Sequence, residues 1–503
     1  MKKILYFISA AVIALTAVSC ESYFDINTDP NLPDPANISN DMIMPGIEGA
    51  LATSYGDFLR ITGGYYAQQY SQLFGTSNYL DYSQFEMSAT RSSTHYTQLF
   101  QKVIVNATTV SKKAQEAEDW GTNLAAVALR AFAFQILVDC YGEVPYTEAL
   151  DDSNLTPHYD DGQVVYEGLV KELEEALAKA TPGQRVSKSL LYPSGNSTDW
   201  IKFAKSVELK ILSRMSTATD VTSKIAALVN EGDFITSDAQ FAGCWSNASG
   251  QASPYYSEEF APWHSQDNVC ANVALIGTMQ VKNEQGAVVY QDPRLAVYFK
   301  TNSSDEFVGG ISGTNFANTA PAPYNNAAGF CRPIVTATTP VAVLSVAEVE
   351  FFIAEYYAKT NNHAQAEAHY KAAVEASFAS NGVTGADGFV AQYPYSSANW
   401  AKSIGIAKWV ALAGSNNFEA WCEVRRLNYP AFGSVQGSDM WNGSNSVDVS
   451  KYEAGTLYTP YQVFGQVGQN SLLARWPYAN ASQSRNKNVP NFPGYTSPIF
   501  WDK

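Results

Sequence analysis

One stretch of the sequence, residues 124–150, limits the fold more than any other. Its first half is apolar on nearly every face, and only Arg130 and Gln135 are polar there. A helix of this kind must be surrounded by other elements rather than lie at the surface. Gly142 then supplies the conformational freedom to leave the helix, and Pro145 biases the residue before it away from helical geometry. The stretch therefore predicts a central helix followed by a structured exit loop.

Apolar residues at helical spacing predict further helices on both sides of this one. In the second half of the chain, two of them are separated only by residues 360–363, and their pattern of small Ala against Tyr and Phe resembles a tetratricopeptide helix pair. The sequence thus predicts a mainly α fold, with tetratricopeptide-like helix pairs as its scaffold. Ser197 or Thr198 is expected to cap the helix that begins at Asp199. The predicted helices are 42–55, 58–74, 92–117, 124–138, 163–180, 199–217, 345–359, 364–379, 398–413 and 418–427.

Helical spacing disappears between residues 231 and 340, where Gly, Asn, Ser, Pro and aromatic residues dominate. A long irregular segment in a compact protein is usually functional or disordered, and the aromatic content argues against disorder. Inside it, Asp292 and Pro293 are typical of a helix start. A polar loop between Phe74 and Arg91 carries more aromatic side chains. With 30 Tyr, 25 Phe and 10 Trp in a chain that is only 16% charged, the composition favours recognition of a ligand with flat, partly apolar faces.

The charge of the chain argues against two classes of partner. The formal net charge is -16, and removal of a segment containing Lys2 and Lys3 leaves 30 basic against 48 acidic residues, or -18. No basic run or basic helix face is present. Binding of nucleic acid and electrostatic attachment to anionic lipid are therefore not expected.

Residues 1–20 have the pattern of a secretory signal peptide: Lys2 and Lys3, then an apolar run, then small residues ending in Cys20. A cysteine at this position resembles the bacterial lipobox, although Ala17 stands where that pattern prefers Leu. We predict cleavage before Cys20 and lipid attached to it. No later apolar run is long enough to span a bilayer, so the mature protein is expected to be anchored and not inserted. The alternative is an ordinary signal peptide with a coincidental Cys20.

Five cysteines remain after Cys20, and an odd number excludes a full disulfide framework. No Cys/His spacing typical of a metal site occurs. Alternating oxygen side chains at 25–31 resemble the start of a calcium loop, but Pro30 replaces the glycine that the loop requires and no glutamate closes it. We therefore favour Asx turns there and predict no metal or cofactor, with calcium as the alternative. The cysteines in loop-rich sequence, between which one bridge can form, are Cys244, Cys270 and Cys331.

Enzyme signatures are missing from the sequence. It contains no HExxH, GxSxG, Walker or GxGxxG motif, and its 5 histidines are few for histidine-based catalysis. We predict a protein that is not an enzyme and has no catalytic residues. A glycoside hydrolase needs only two facing carboxylates, and Glu258 and Glu259 are the best candidates for that alternative. His264 and Asp267 can be interpreted as a base and its orienter, although polar loop residues are the favoured interpretation.

Two arginines, Arg130 and Arg425, fall on helices that are expected to be buried. A buried guanidinium needs a carboxylate partner. We predict that such pairs tie the N-terminal helices to the C-terminal ones. The candidate partners are Glu348, Glu350, Glu355 and Glu423.

Four stretches together resemble the SusD/RagB family, the surface glycan-binding lipoproteins of Bacteroidetes. These stretches are the start to Cys20 followed by FDINTDPN, the segment LRAFAFQILVDCYGEVPYTEAL, the later AEVEFFIAEYYAK, and LARWPY at 473–478. Asp292-Pro293-Arg294 also fits a turn of the family. The FDINTDPN start suggests the second SusD-like branch. The sequence departs from the pattern of the family at 418–426 and at 480–484. These differences bear on the branch and the ligand more than on the fold.

The resemblance implies a single domain behind a lipid anchor, with a helical scaffold that bears an irregular ligand-binding face. It also implies a partner, a SusC-like TonB-dependent β-barrel transporter that this protein closes as a lid at the outer membrane, facing the cell exterior. The predicted parts are a signal peptide 1–19, a lipidated N-terminus and tether 20–40, and a SusD-like domain 41–503. Within that domain, the scaffold spans 41–230 and 341–430, the loop-rich region 231–340, and the irregular C-terminal segment 431–503.

The function that the resemblance implies is non-catalytic capture of oligosaccharide and its delivery to the transporter. Aromatic rings would stack on sugar faces, and neighbouring Asn and Asp side chains would hydrogen-bond to hydroxyls. The alternatives are a peptide-capturing member of the same family, a secreted glycoside hydrolase, and a purely structural lid. The candidate ligand-binding residues are Asn78, Tyr79, Asp81, Tyr82, Trp245, Tyr255, Tyr256, Trp263, Tyr324 and Asn325.

Overall fold

The central helix forms as the sequence predicts. This computed structural model describes residues 38–151, 153–261, 268–443 and 445–502. Within them, helix Trp120–Tyr141 has all but two of its side chains buried. Asp119 caps its first turn, and Gly142 ends it with a φ of 83°. The expectation that no later run is long enough to span a bilayer is wrong by length and composition alone, because among the described residues this one helix is long and apolar enough to cross a membrane. However, 94% of that window is buried inside the protein, as in the core helix of a folded domain.

Helices dominate the described chain, which confirms the predicted fold class. Two π-helical turns, Tyr55–Leu59 and Gln98–Ile104, are inserted into otherwise continuous helices. In chain order the α-helices are α1 Asn40–Ser54, α2 Arg60–Tyr66, α3 Leu80–Ser83, α4 Ala89–Thr97, α5 Val105–Glu116, α6 Trp120–Tyr141, α7 Gly162–Leu177, α8 Ser197–Met215, α9 Thr222–Glu231, α10 Pro254–Glu259, α11 Val273–Met279, α12 Leu295–Tyr298, α13 Val346–Lys359, α14 His363–Ser380, α15 Ala386–Gln392, α16 Trp400–Leu412, α17 Asn417–Leu427, α18 Gly437–Met440 and α19 Asn480–Gln483.

Short strands pin the loops to the helical scaffold. In the described residues they form four two-stranded antiparallel sheets, mostly within the region where helical spacing is absent. Tyr70 lies opposite Ala271 in the first sheet, so the loop-rich region is attached directly to the N-terminal helices. The pairs are β1 Tyr70–Gln72 with β3 Val269–Ala271, β2 Ala239–Phe241 with β8 Val341–Leu344, β4 Gln280–Lys282 with β5 Val288–Gln291, and β6 Phe299–Lys300 with β7 Arg332–Pro333.

The predicted tetratricopeptide-like pairs are present. Helices α13 and α14 form an αα-hairpin, and α16 and α17 form a second pair that packs beside it. Ser345 caps α13 by accepting a hydrogen bond from the backbone N–H of Glu348 at 3.1 Å. Asn362 caps α14 in the same way. Because each short linker places its two helices side by side, the apolar faces that the sequence pattern indicates are buried against each other.

One predicted helix, 58–74, ends early, at Tyr66. The cause is Gln68, which has a φ of 52°. Its side-chain amide donates to the backbone carbonyl of Tyr458 at 2.6 Å, and its side-chain oxygen accepts from the backbone N–H of Tyr458 at 3.0 Å. These long-range hydrogen bonds replace the next helical turn, so helical spacing alone overestimates the length of the helix.

Two helix starts differ from prediction by one or two residues. The prediction that Ser197 or Thr198 caps α8 is wrong, because Asn196 caps it with a 3.0 Å hydrogen bond from the helix backbone. Asp292 accepts a 2.9 Å hydrogen bond from the backbone N–H of Arg294, as a cap does. The helix itself, however, begins at Leu295.

The predicted role of Arg130 is wrong. Arg130 lies on the side of α6 that α7 covers, and it pairs with Glu172 of α7 at 2.6 Å rather than with a C-terminal helix. Arg425 pairs with Asp502 at 3.2 Å and donates to the backbone carbonyl of Asp139 at 3.0 Å. Within the described residues, neither arginine forms an ion pair with any of the four glutamates proposed from the sequence.

Other buried cations make the predicted connection. Arg214 of α8 is completely buried and pairs with Asp139 of α6 and Glu419 of α17. Lys210, one turn earlier, is also completely buried and pairs with Glu419 at 2.6 Å and with Glu348 of α13 at 3.3 Å. We call these five residues the buried ion network. It joins N-terminal helices to C-terminal helices through the centre of the protein.

Several predictions concern residues outside the described parts of the chain. They include the signal peptide, the lipid site Cys20, the calcium-like segment 25–31, and the pair His264 and Asp267. The bridge considered among the loop cysteines is not formed in the structure. All the described cysteines are free, including Cys244, Cys270 and Cys331.

Candidate functional site

A cleft of about 390 Å³ opens where the 74–91 loop meets α10 and the two π-helical turns. Both turns contribute to its wall, Asp57 and Phe58 from the first and Gln98 from the second. A π-helical turn inserts an extra residue and rotates the following side chains, and such turns occur frequently at functional sites. We call this the acidic cleft. Its lining residues are Thr53, Asp57, Phe58, Ile61, Tyr79, Tyr82, Arg91, Thr94, His95, Gln98 and Glu258.

Aromatic rings form much of the wall of the acidic cleft. The rings of Tyr79 and Tyr82 are stacked with centroids 5.4 Å apart and 13° between their planes. The ring of Phe58 is stacked on the imidazole of His95 at 3.9 Å and touches Tyr82 edge-on at 6.1 Å. Because each ring is held by another ring, the wall is rigid. The rings are mostly covered by protein, with Phe58, Tyr79 and Tyr82 only 9%, 6% and 1% exposed.

Hydrogen bonds fix the polar groups beside these rings. The hydroxyl of Tyr79 donates to Glu258 Oε1 at 3.2 Å. Arg91 pairs with Asp81 at 3.0 Å and donates to the hydroxyl of Tyr82 at 3.4 Å. The 74–91 loop and α10 are therefore joined across the cleft, and the positive charge of Arg91 is already neutralised.

Three side chains at the acidic cleft, Asp57, Asp81 and His95, are shifted toward their neutral forms. Burial, with the nearby charges of Glu258 and Glu259, raises the pKa of the Asp57 carboxyl well above its usual range. Burial also raises the pKa of Asp81, although Arg91 opposes the shift. Burial lowers the pKa of the His95 imidazole to about 4, so this ring is neutral at pH 7. A neutral carboxyl both donates and accepts hydrogen bonds, as hydroxyl groups do.

Several buried polar atoms at and behind the cleft have no hydrogen-bond partner among the described residues. They are His95 Nδ1, Asp81 Oδ1, Glu259 Oε1 and the hydroxyl of Tyr255. Buried polar groups nearly always have a partner in native proteins, and the exceptions call for a ligand or water. The concentration of such atoms around one cleft identifies it as the candidate ligand-binding site.

Comparison with known proteins agrees with this architecture. A model of the second SusD-like family, described as starch-binding and associating with the outer membrane, matches residues 51–450. The chain belongs to the SusD-like family. No curated protein matches the sequence.

Solved SusD-like structures share the fold. A SusD homologue from Bacteroides uniformis is 19% identical, with a TM-score of 0.71, over 91% of this chain and 99% of that chain. A chitin-binding SusD homologue from Flavobacterium johnsoniae is 15% identical, with a TM-score of 0.67, over 91% and 98%. A SusD homologue from Bacteroides thetaiotaomicron is 20% identical, with a TM-score of 0.65, over 91% and 98%. These identities establish a common fold and say nothing of a common ligand.

The structure brings one group of the predicted SusD-like ligand residues together. Tyr79 and Tyr82 line the acidic cleft, and Asp81 holds Arg91 beside them. Asn78 is exposed on the same loop, and its backbone carbonyl accepts from the side-chain amide of Gln72 at 2.8 Å. The 78–82 segment therefore supplies one side of the cleft.

The predicted residues from 245 to 263 have different environments. Tyr255 is completely buried, with the guanidinium of Arg60 4.5 Å above its ring, so its contacts are with protein groups. Tyr256 is partly exposed and stacks on Phe260 with centroids 6.4 Å apart. Trp245 is partly exposed and donates its ring N–H to a backbone carbonyl at 2.9 Å. Trp263 lies outside the described residues.

Tyr324 and Asn325 lie elsewhere in this SusD-like fold. Tyr324 borders a second cavity of about 810 Å³, which shares no lining residue with the acidic cleft. Its ring packs on Phe316 at 5.4 Å and on Phe330 at 5.6 Å. Asn325 follows it and is partly exposed. The nine predicted residues that the structure describes therefore do not converge on one site.

Sequence reasoning missed Asp57, Phe58, Arg91, His95 and Gln98, all of which line the acidic cleft. All five lie in or beside segments with helical spacing, which were interpreted as scaffold. One signal was available: an aspartate inside the apolar run YGDFLRI is costly unless it faces a polar site.

Proposed function

We propose that this SusD-like protein captures oligosaccharide at the cell surface without catalysis and passes it to a partner TonB-dependent transporter. The observation that carries the proposal is the acidic cleft, where stacked rings lie beside buried polar atoms that have no hydrogen-bond partner in the described part of the chain. The family description as starch-binding, and the chitin-binding Flavobacterium homologue, support the same ligand class.

The chemistry of the cleft suits a sugar. A pyranose ring has an apolar C–H face that packs on aromatic rings, and hydroxyls at its edge that both donate and accept hydrogen bonds. Those hydroxyls would satisfy Nδ1 of His95, which lines the cleft. Binding of this kind needs no proton transfer and no covalent step. Release to the transporter then requires only that the complex dissociates.

Affinity electrophoresis against starch, chitin oligosaccharides and other soluble glycans tests the capture function. Tyr79→Ala is expected to weaken binding of the best glycan about tenfold, because it removes part of the cleft wall and the hydrogen bond that joins the 74–91 loop to Glu258. The matched control is Tyr357→Ala on α13, whose partly exposed ring stacks on His369 at 5.3 Å and lies outside the cleft lining. That variant is expected to bind glycan normally.

Two results would replace the proposal with an alternative. Binding of peptides and of no glycan would indicate a peptide-capturing protein. Release of reducing ends from a bound glycan, abolished by Glu258→Gln, would indicate a hydrolase that uses the carboxylates of the cleft.

The proposed location is the outer membrane, through lipid on Cys20. Several acyl chains anchor a protein firmly, since each buried methylene contributes about 0.8 kcal/mol. Cys20→Ser is expected to move the protein from the membrane fraction to the soluble fraction, while glycan binding by the purified variant is unchanged. Membrane retention of that variant to the wild-type extent would rule out Cys20 as the anchor.

A further inference from the structure

A second groove opens on the surface where the end of α17 meets the C-terminal segment. It has a volume of about 530 Å³, and its wall is drawn from residues 424–432 and 470–502. None of its lining residues lines the acidic cleft. We call it the C-terminal groove, and it is a separate candidate for a ligand.

Arg425 forms part of the wall of this groove and has an incomplete set of hydrogen bonds. It is only 3% exposed, and its guanidinium lies 4.2 Å from the ring of Trp421 and 4.6 Å from that of Trp501. Its Nε pairs with Asp502 at 3.2 Å, and its Nη1 donates to the backbone carbonyl of Asp139 at 3.0 Å. Its Nη2 has no hydrogen-bond partner among the described residues. Because buried donors nearly always have an acceptor, this nitrogen indicates that the groove receives an acceptor from outside the chain.

The charge of the C-terminal groove is balanced. Its two charged lining residues, Arg425 and Asp502, pair with each other, and the other lining residues are neutral. An anionic ligand would be repelled by Asp502, and a cationic ligand by Arg425. The acceptor that Nη2 lacks is therefore expected to be a neutral oxygen, such as a hydroxyl or a carbonyl.

The accessible part of the groove combines apolar surface with small polar side chains. The ring of Phe432 and the side chain of Leu472 are partly exposed, and Pro498 is exposed. Asn428 and Thr496, which also line the groove, are exposed and can hydrogen-bond to hydroxyls. A sugar ring has the matching surfaces, an apolar face with hydroxyls at its edge.

A peptide is a poorer occupant, because backbone groups that border the groove are already paired. The carbonyl of Ala431 accepts from the N–H of Leu457 at 2.8 Å, and the N–H of Gly433 donates to the carbonyl of Leu457 at 2.8 Å. On the other side, the N–H of Ala474 donates to the carbonyl of Tyr495 at 2.8 Å. An extended peptide usually binds by adding a strand to free backbone groups. Recognition here must come from side chains, which suits a sugar better.

We infer that the C-terminal groove is a second glycan-binding site, in which a neutral sugar packs on Phe432 while one of its hydroxyls accepts from Arg425. This inference rests on the proposed function and adds to it a site and a charge class of ligand. A protein with two such sites keeps part of its affinity for a glycan when one site is damaged.

Affinity electrophoresis in gels that contain soluble starch or glycol chitin tests the inference. It is applied to the mature chain with Tyr79→Ala, in which binding at the acidic cleft is weakened. Adding Phe432→Ala is expected to lower the remaining affinity at least about fivefold, the size of one aromatic contact. Thr496→Trp, which fills the groove from an exposed position, is expected to have the same effect. The matched controls Tyr357→Ala and Thr338→Trp lie outside both linings and are expected to leave the affinity unchanged.

The outcomes separate this inference from the proposed function. Unchanged affinity after both groove substitutions, or complete loss of binding with Tyr79→Ala alone, would overturn the inference and leave glycan capture at the cleft intact. No retardation of the unsubstituted chain by starch, chitin or any other glycan would overturn both. Retardation by polygalacturonate, an anionic glycan, that Thr496→Trp abolishes would overturn the neutral charge class. Should Phe432→Ala unfold, Thr496→Trp decides alone, because its side chain lies at the surface.

Discussion

Replacing Arg214 with methionine is expected to lower the free energy of unfolding by about 3–5 kcal/mol, the cost of leaving buried charges without their partner. Arg214 is completely buried and neutralises both Asp139 and Glu419. Methionine has similar bulk and no charge, so the two carboxylates would lose their shared counterion while the packing changes little. Glu419 would keep its ion pair with Lys210, whereas Asp139 would lose its cationic partner.

Arg130→Met is the matched control for this experiment. Arg130 lies on α6, where its side chain is 15% exposed and pairs with Glu172, which is 29% exposed. Partly solvated pairs contribute about 1 kcal/mol or less. The midpoint of urea unfolding, measured for both variants, is expected to fall far more for Arg214→Met. Equal shifts would mean that the buried ion network does not hold the helices together.

Gly63→Ala is expected to destabilise the protein by about 3 kcal/mol or more, because overpacking against a backbone has no cheap relief. Gly63 lies in α2, where a Cβ would stand 2.4 Å from the Cα of Phe418 and 2.6 Å from the carbonyl oxygen of Asn417. Both atoms belong to the backbone of α17. The two helices can approach this closely only because the residue between them has no side chain.

Gly49→Ala should change stability in the opposite direction. Gly49 lies within α1, and a Cβ there meets nothing within 4 Å. Alanine is preferred over glycine inside a helix by about 1 kcal/mol, so this variant is expected to be slightly more stable. Thermal melting of the two variants side by side distinguishes close helix contact from helix propensity. A stable Gly63→Ala protein would contradict the contact between α2 and α17.

Elements with strong local signals could be predicted from the sequence. Helix α6 is apolar throughout and is bounded by Asp119 and Gly142, so both its burial and its end were predictable. The α13 and α14 hairpin has caps at Ser345 and Asn362 and regular spacing. Helix α9, Thr222–Glu231, was missed because it is short, has no side-chain cap and buries only two residues.

What depends on packing could not be predicted. The partner of Arg130 is set by which helix covers that side of α6, and the sequence offers several glutamates without ranking them. Likewise, Tyr79 and Tyr82 lie three residues apart on one aromatic loop, so their proximity could be predicted. Asp57 and His95 reach the same cleft from segments whose helical spacing indicates scaffold. Convergence of distant elements is a property of the fold and not of any one segment.

The partners of the central helix come late in the chain. The indole N–H of Trp501 donates to Asp139 Oδ1 at 3.0 Å, and the two residues are 362 positions apart. At synthesis rates of about 5–20 residues per second, roughly 20–70 s separate them on the ribosome. During that interval α6 is made but lacks its final neighbours, although its sequence is as apolar as a membrane span. An apolar helix therefore waits for the last segments of the chain to complete its burial, and this order of synthesis exposes it to aggregation in the meantime.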